Sequence, residues 1–484
     1  MTYDHIRKTR AYGGIRISWD LGNRDKIRNK GLRKRMTEYV RRDFDVIVAG
    51  DDDQLFQRLN NADGSAVTVR LVSNDAQLDQ AITNQAQVIG VEGTITAATQ
   101  KTPLISIAVT GGIYQFLGDM EIRLSDFGKF SYANDVLFSL NRGVYSFRDL
   151  SFLSLNPNKA SAISNLAQIE EVLVDNCQFK NATIALTGFD YDSSKIVITN
   201  NAFNLDSITT SRRPLLFTLA QTAPASLNIA LIQGNSFTTD LMNTGTSFII
   251  ISTISTTNDA FSGNIQVGDI IQNTFLCKEA QLKEVRGIAV INEKLFTISP
   301  VDQNITIRSI SNNTFEFLAT GNKEKCRVIN LINLGGSDFS TQSIYVQNMN
   351  SNLIKIQNYT KARGIEFLLG QTSDFAKQSI QVDHILHNDI TYDGADSHGV
   401  IIFSGFPAST SKDNTVVVGQ NGGFFDNHFH TTPTTGFVDI FIKNLNADPS
   451  NTIDVFVHDG GKGLSEANGD ADVATEGPNI NITP

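Results

Sequence analysis

Short apolar, β-branched runs ending in an asparagine-containing turn recur seven times between residues 198 and 430. The clearest copies are Ile198-Thr-Asn-Asn-Ala-Phe203, Ile232-Gln-Gly-Asn-Ser-Phe237, Ile271-Gln-Asn-Thr-Phe275 and Ile310-Ser-Asn-Asn-Thr-Phe315. Looser copies are Val346-Gln-Asn-Met349, Leu386-His-Asn-Asp-Ile390 and Phe425-Asp-Asn-His-Phe429. Aligned on Asn201, Asn235, Asn273, Asn313, Asn348, Asn388 and Asn427, the steps are 34, 38, 40, 35, 40 and 39 residues. Such an echo predicts stacked copies of one unit, each too small to bury its own apolar face. Three short strands with tight turns need roughly 20–30 residues, so each copy has room for one longer loop. Asparagine suits a recurrent corner because it tolerates left-handed backbone and its amide bonds nearby backbone. At the ~4.8 Å strand spacing, stacked asparagines can bond one another as a ladder. Phenylalanine two residues further on, in five of the seven copies, predicts an aromatic ladder beside it.

The same alternation continues outside the repeats. Ser73–Thr83 reads as a short helix with Ser73 or Asn74 as N-cap and Leu78, Ala81 and Ile82 on one apolar face. It stands just before the small strands Val88–Val91 and Gly93–Thr96, where it would serve as a lid on the exposed end of a β stack. Leu104–Val109, Val136–Leu140, Val144–Leu155 and Val172–Phe179 fit earlier coils. Beyond Pro433, Gly436–Ile442 and Thr452–Val457 alternate like paired strands, which predicts a closing hairpin or small cap before a polar tail.

These lid, strand and Asn-x-Phe features resemble the single-stranded right-handed parallel β-helix superfamily, the pectin-lyase-like fold that includes phage tailspikes. The resemblance spans roughly residues 73–430. It implies an all-β chain in four parts: a basic N-terminal arm (1–50), a linker and entry strand (51–72), a parallel β-helix with its short capping helix (73–432), and a β C-terminal cap and tail (433–484).

Charge divides the chain. Residues 1–42 carry thirteen Lys or Arg against four acids, a net +9; with −10 overall, the remainder holds −19. Arg24, Lys26, Arg28, Arg33, Lys34, Arg35, Arg41 and Arg42 make the arm an anchor onto something negative, and a solvated tail fits the same charges. Nucleic acid is not the expected partner, because Tyr3, Tyr12, Trp19 and Tyr39 are sparse stacking groups and no nucleic-acid-binding module is present. No apolar stretch is long enough to span a bilayer, and the charged start lacks a signal core. Cys177, Cys277 and Cys326, odd in number and widely spaced, read as free buried thiols made in a reducing compartment.

Chemistry is thinly marked. Glycoside hydrolysis needs two carboxylates about 5–10 Å apart, a distance that neighbouring coils supply readily. Asp190 and Asp192, and Asp393 with Asp396, stand out in loops, where solvated turn aspartates are far commoner than catalytic ones. Ser397-His-Gly399 faintly resembles the Gly-His-Gly element of polygalacturonases, but that family's other elements do not appear in usable order, and the pectate lyase Trp-x-Asp-His signature is missing. His428 and His430 share a strand face, with His384 and His387 a coil earlier, yet no third ligand is evident, so no metal or other cofactor is expected. Tyr191, Phe424 and Phe425 are aromatics suited to sugar contact. The resemblance implies a virion surface protein made in the host cytoplasm, homotrimeric, joined to other virion proteins by its arm and touching host polysaccharide. A polysaccharide depolymerase (hydrolase or lyase) and a decoration protein without ligand are the alternatives.

Overall fold

The computed structural model describes residues 67–483 apart from 112–113, 118–119, 124–126, 157–160, 189–194, 206–212, 220–224, 240–245, 256–260, 281–283, 295–300, 336–339, 371–376, 395, 406–412, 432–437, 447 and 457–472. The basic arm and the Asp190–Asp192 pair therefore lie outside the described residues, as does Tyr191. The chain divides into two units, one of residues 1–67 with 114–123 and one of 68–113 with 124–484. Of the first, the described part is an antiparallel pair, Tyr114–Leu117 with Met120–Arg123.

The second unit is a parallel β-helix. One stack holds fourteen strands, from Val69–Val72 to Ile480–Thr483. A second begins with Thr94–Ala97 and Gly128–Tyr132 and runs to His428–Thr431; a third runs from Val136–Leu140 to Val473–Glu476. Two long strands, Thr314–Leu334 and Leu353–Gly370, pass from the second stack into the third, so these two form a single twenty-stranded sheet. Every neighbour pairing within the stacks is parallel, as each coil lays its strand on the one before. Fourteen rungs at ~4.8 Å give a rise of about 60 Å.

The corners explain why the sequence winds this way. At successive turns out of the first stack, Asp149, Asn176, Asn200, Gly234, Gln272, Asn312, Ser351, His387 and Asp426 take φ between 49° and 67°. The left-handed residue is thus the one before the ladder asparagine, and the asparagine itself has a different task. Turning the chain strands a carbonyl three residues back, inside the protein. Asn273 Nδ2 donates to that carbonyl one coil earlier, Ile232 O (3.0 Å), and to Asn313 Oδ1 (3.0 Å), while its Oδ1 accepts the Asn235 backbone N–H (3.0 Å). The motif repeats through Asn201, Asn235, Asn273, Asn313, Asn352, Asn388 and Asn427, all at most 2% exposed. Asn348, expected in the fifth place, is not a rung: it sits in the strand Thr341–Asn350 and donates to Arg308 O. Cys177 begins the series, its backbone N–H donating to Asn201 Oδ1 (2.8 Å).

Beside this ladder Phe130, Phe152, Phe179, Phe203, Phe237, Phe275 and Phe315 stack with ring centroids 4.5–5.6 Å apart. Ile354 and Ile390 continue the row, and Phe429 follows. Each buried phenylalanine contributes about 1.5–3 kcal/mol by leaving water. A second buried amide series, not apparent in the sequence, runs Gln303, Gln342, Gln378, Asn414, Asn451.

The helix forms as Asp75–Thr83, capped by Asn74 Oδ1 accepting from the Gln77 N–H, with Leu78 and Ala81 buried in the common core. One strand, Val69–Val72, precedes it and pairs with Val88–Val91, so the helix lies within the first coil. Lys101, 1% exposed, reaches Asp75 and Asp79 on it at 2.7 and 2.6 Å. The expected closing hairpin does not form. Ile440–Asn444, Thr452–Phe456, Val473–Glu476 and Ile480–Thr483 each pair in parallel with the preceding coil, extending the helix past residue 432. Alternation alone reads the same for either strand direction.

Candidate functional site

In the third stack the in–out alternation breaks at one level. Val328 and Ile329 both face the core, as do Gly364 with Ile365 and Gly399 with Val400. Glycine is needed here because a Cβ on Gly399 would stand 2.3 Å from the Phe429 ring, and one on Gly364 2.8 Å from Ile390. The strand bends at this step, and outward side chains on its two sides turn toward one another. Ala289, Asn330, Glu366 and Ile401 face outward yet are at most 7% exposed, covered by the side chains around them.

Before the bend, register aligns Arg286, Arg327, Arg363 and His398 in one row, with Glu284, Lys325 and Lys361 in the next. Glu284 Oε1 accepts from Arg286 Nη2 (3.1 Å) and pairs with Arg327. Arg327 Nε crosses the bend to Glu366 Oε2 at 2.9 Å, and Asn330 donates to the same carboxylate. Arg363 donates to the Ala362 and Asp396 carbonyls (3.2 and 2.5 Å) and lies 3.4 Å from Asp396 Oδ1. Lys361 is 3.4 Å from Asp396 Oδ2.

Burial pushes the Glu366 carboxyl upward, with Arg327 and Arg363 pulling the other way. It pushes Arg363 downward more than Asp396 and Glu366 restore it, leaving an incompletely compensated guanidinium. His398 donates from Nδ1 to Val438 O (2.7 Å), which leaves Nε2 as the lone-pair nitrogen, and burial lowers its pKa. Its ring stacks on Phe441 at 5.1 Å. Guanidinium, carboxyl, amide and an aromatic pair therefore lie together across five successive coils.

Of the carboxylates singled out in the sequence, Asp396 joins this cluster. Asp393 does not: it accepts the Asn358 backbone N–H (2.6 Å) at a left-handed corner, and burial raises its pKa. Phe424, expected at the surface, is 2% exposed. His428 and His430 are surface groups; His428 shares Asp426 with His387, and His430 pairs with Asp389. His384 lies in the first stack. Among the described residues no group of three or more His, Cys, Asp or Glu is arranged to hold a metal ion, and no helix is long and apolar enough to cross a membrane. Arg286, Arg327, Arg363 and Glu366 were not singled out in the sequence. Their spacings of 41 and 36 residues between successive arginines follow the coil period, which was the available signal.

No protein-family model, no curated protein and no solved structure matches this chain.

Proposed function

We propose that this chain is a virion surface protein of the spike or fibre kind, fixed to the particle through residues 1–50 and contacting host-surface glycans with the flank of its β-helix. The observation that carries the reading is the site around Arg363 and Glu366, a convergence of polar groups and an aromatic pair on an outer face built from stacked strands. Saccharide recognition uses fixed hydrogen-bonding groups beside apolar faces, and sites built on strands are held better than sites on loops. A basic arm and an acidic body agree with one end docking while the other projects. The test has two arms. Removing residues 1–50 abolishes incorporation into particles while the body keeps its β circular dichroism, and the purified body binds host-surface polysaccharide. Unchanged incorporation refutes the anchor; absence of any glycan binding refutes the contact. Equilibrium sedimentation tests the trimer, and a monomer of the full chain counts against a spike.

A depolymerase is the second reading, favoured by the unlike settings of Glu366, buried with its pKa raised, and Asp396, exposed beyond Arg363. Carboxyls in unlike settings suit acid and base roles. Release of new reducing ends or unsaturated sugars, abolished in Glu366→Gln, would establish it.

A further inference from the structure

We infer that the bend in the third stack is a binding site for an acidic glycan, one bearing carboxylate or sulfate groups, with Arg286, Arg327 and Arg363 as its recognition residues. The inference rests on the glycan-contact reading and specifies its ligand class. Three observations lead there.

Charge comes first. The chain beyond residue 42 carries −19, yet among the described residues at this level Arg286, Arg327, Arg363, Lys325 and Lys361 stand with Glu284, Glu366 and Asp396, and the buried Asp439 lies beside His398. Five cations against four carboxylates leave a local excess of one positive charge among the described residues, on an otherwise acidic body. An anion is drawn to this patch and repelled elsewhere.

Geometry is second. The three arginines occupy one register row, so their Cα atoms follow the ~4.8 Å coil rise and their line runs along the stack. A linear polymer lying along the same axis meets one guanidinium per coil. Arginine suits the task because its planar fork takes an oxyanion through two parallel bonds. The row ends at His398, whose ring is packed flat on Phe441, giving an apolar surface beside the charges.

Third, the arginines are pre-positioned and incompletely matched. Arg363 is held by two backbone carbonyls, while its nearest carboxylate oxygen lies at 3.4 Å on a half-exposed aspartate shared with Lys361. Arg286 has only a share of Glu284, which it divides with Arg327, while Arg327 also holds Glu366. A ligand oxyanion can therefore add to this network without first dismantling it. The cost of fixing long side chains has been met during folding.

The experiment uses the full-length protein and three polymers: alginate, dextran sulfate and neutral dextran, with binding followed by affinity electrophoresis and calorimetry. Alginate or dextran sulfate should bind, more weakly as salt rises, and neutral dextran should not. Arg363→Gln and Arg286→Gln should each weaken binding roughly tenfold or more. Arg363→Lys should recover only part, because charge returns without the fork. Lys195→Gln, which removes a cation paired with Glu171 in the first stack, should leave binding unchanged. Thermal melts and circular dichroism of each variant separate lost binding from lost fold. Equal binding of dextran and the polyanions, or polyanion binding untouched by both arginine variants, overturns the inference and leaves glycan contact standing. Binding to none of the three, together with none to host polysaccharide, overturns both.

Discussion

Replacing Asn352 by alanine tests the corner ladder at the rung where sequence and structure diverge. Asn352 Oδ1 accepts the Asn313 backbone N–H (3.2 Å) and Asn313 Nδ2 (3.1 Å), and its own Nδ2 donates to Ile310 O (2.9 Å). Alanine leaves the Asn313 N–H and the Ile310 carbonyl buried without partners; Asn313 Nδ2 keeps Ile270 O. Two stranded groups at about 1–3 kcal/mol each give a loss of about 2–6 kcal/mol. Asn348→Ala removes one bond, to Arg308 O, at the surface, and should cost within about 0.5 kcal/mol. The assay is urea unfolding followed by fluorescence, with unfolding rates measured alongside because long repeat folds depart from two-state behaviour. Equal destabilisation by the two substitutions, or a larger effect at Asn348, would refute the ladder register and the accounting based on it.

Three further outcomes follow from the same contacts. Because the folded Glu366 carboxyl has a raised pKa, the folded state holds its proton more tightly than the unfolded state, and stability falls as pH rises through and above the ordinary carboxyl range. Glu366→Gln should therefore match wild type near pH 4 and equal or exceed it at pH 7; a variant less stable only at pH 7 would reverse the sign. Cys177, Cys277 and Cys326 are buried, and burial raises the thiol pKa of Cys177 and Cys326, so iodoacetamide should label none of the three in the native protein and all three in urea. Gly399→Ala should cost about 1–3 kcal/mol by driving a methyl into the Phe429 ring, and Phe429→Leu in the same chain should recover part of it, as a double-mutant cycle of melting temperatures would show.

Much of the fold was legible because the corner repeats at a fixed chemical position. The apolar run, the turn and the phenylalanine together marked four rungs without ambiguity. The fifth is easily misplaced because Ile354 stands where the four clear copies have phenylalanine and Ser351 where they have Asn, Gly or Gln, so the Val346–Met349 run offers a better-looking copy. The more even spacing of 39 and 36 residues around Asn352 pointed to the right position. The bend site was hidden for another reason. Which arginine lies above which depends on loop lengths that differ from coil to coil, and the pairing of Arg327 with Glu366 joins residues on different coils and on opposite sides of a bend. Asp396 was found because its loop composition is distinctive, although its partners were not. Alternation in the last fifty residues identified strands while leaving their direction open, and parallel stacking decided it.

The spine of asparagines keeps vertical alignment independent of contour length. Successive rungs are separated by anything from 34 to 40 residues, yet each amide meets the next at 2.7–3.1 Å. Segments inserted or trimmed away from that edge change the relief of the flank without shifting any storey against its neighbour. A protein built this way can acquire a new surface by altering its protrusions one floor at a time, while the shaft that carries them stays the same.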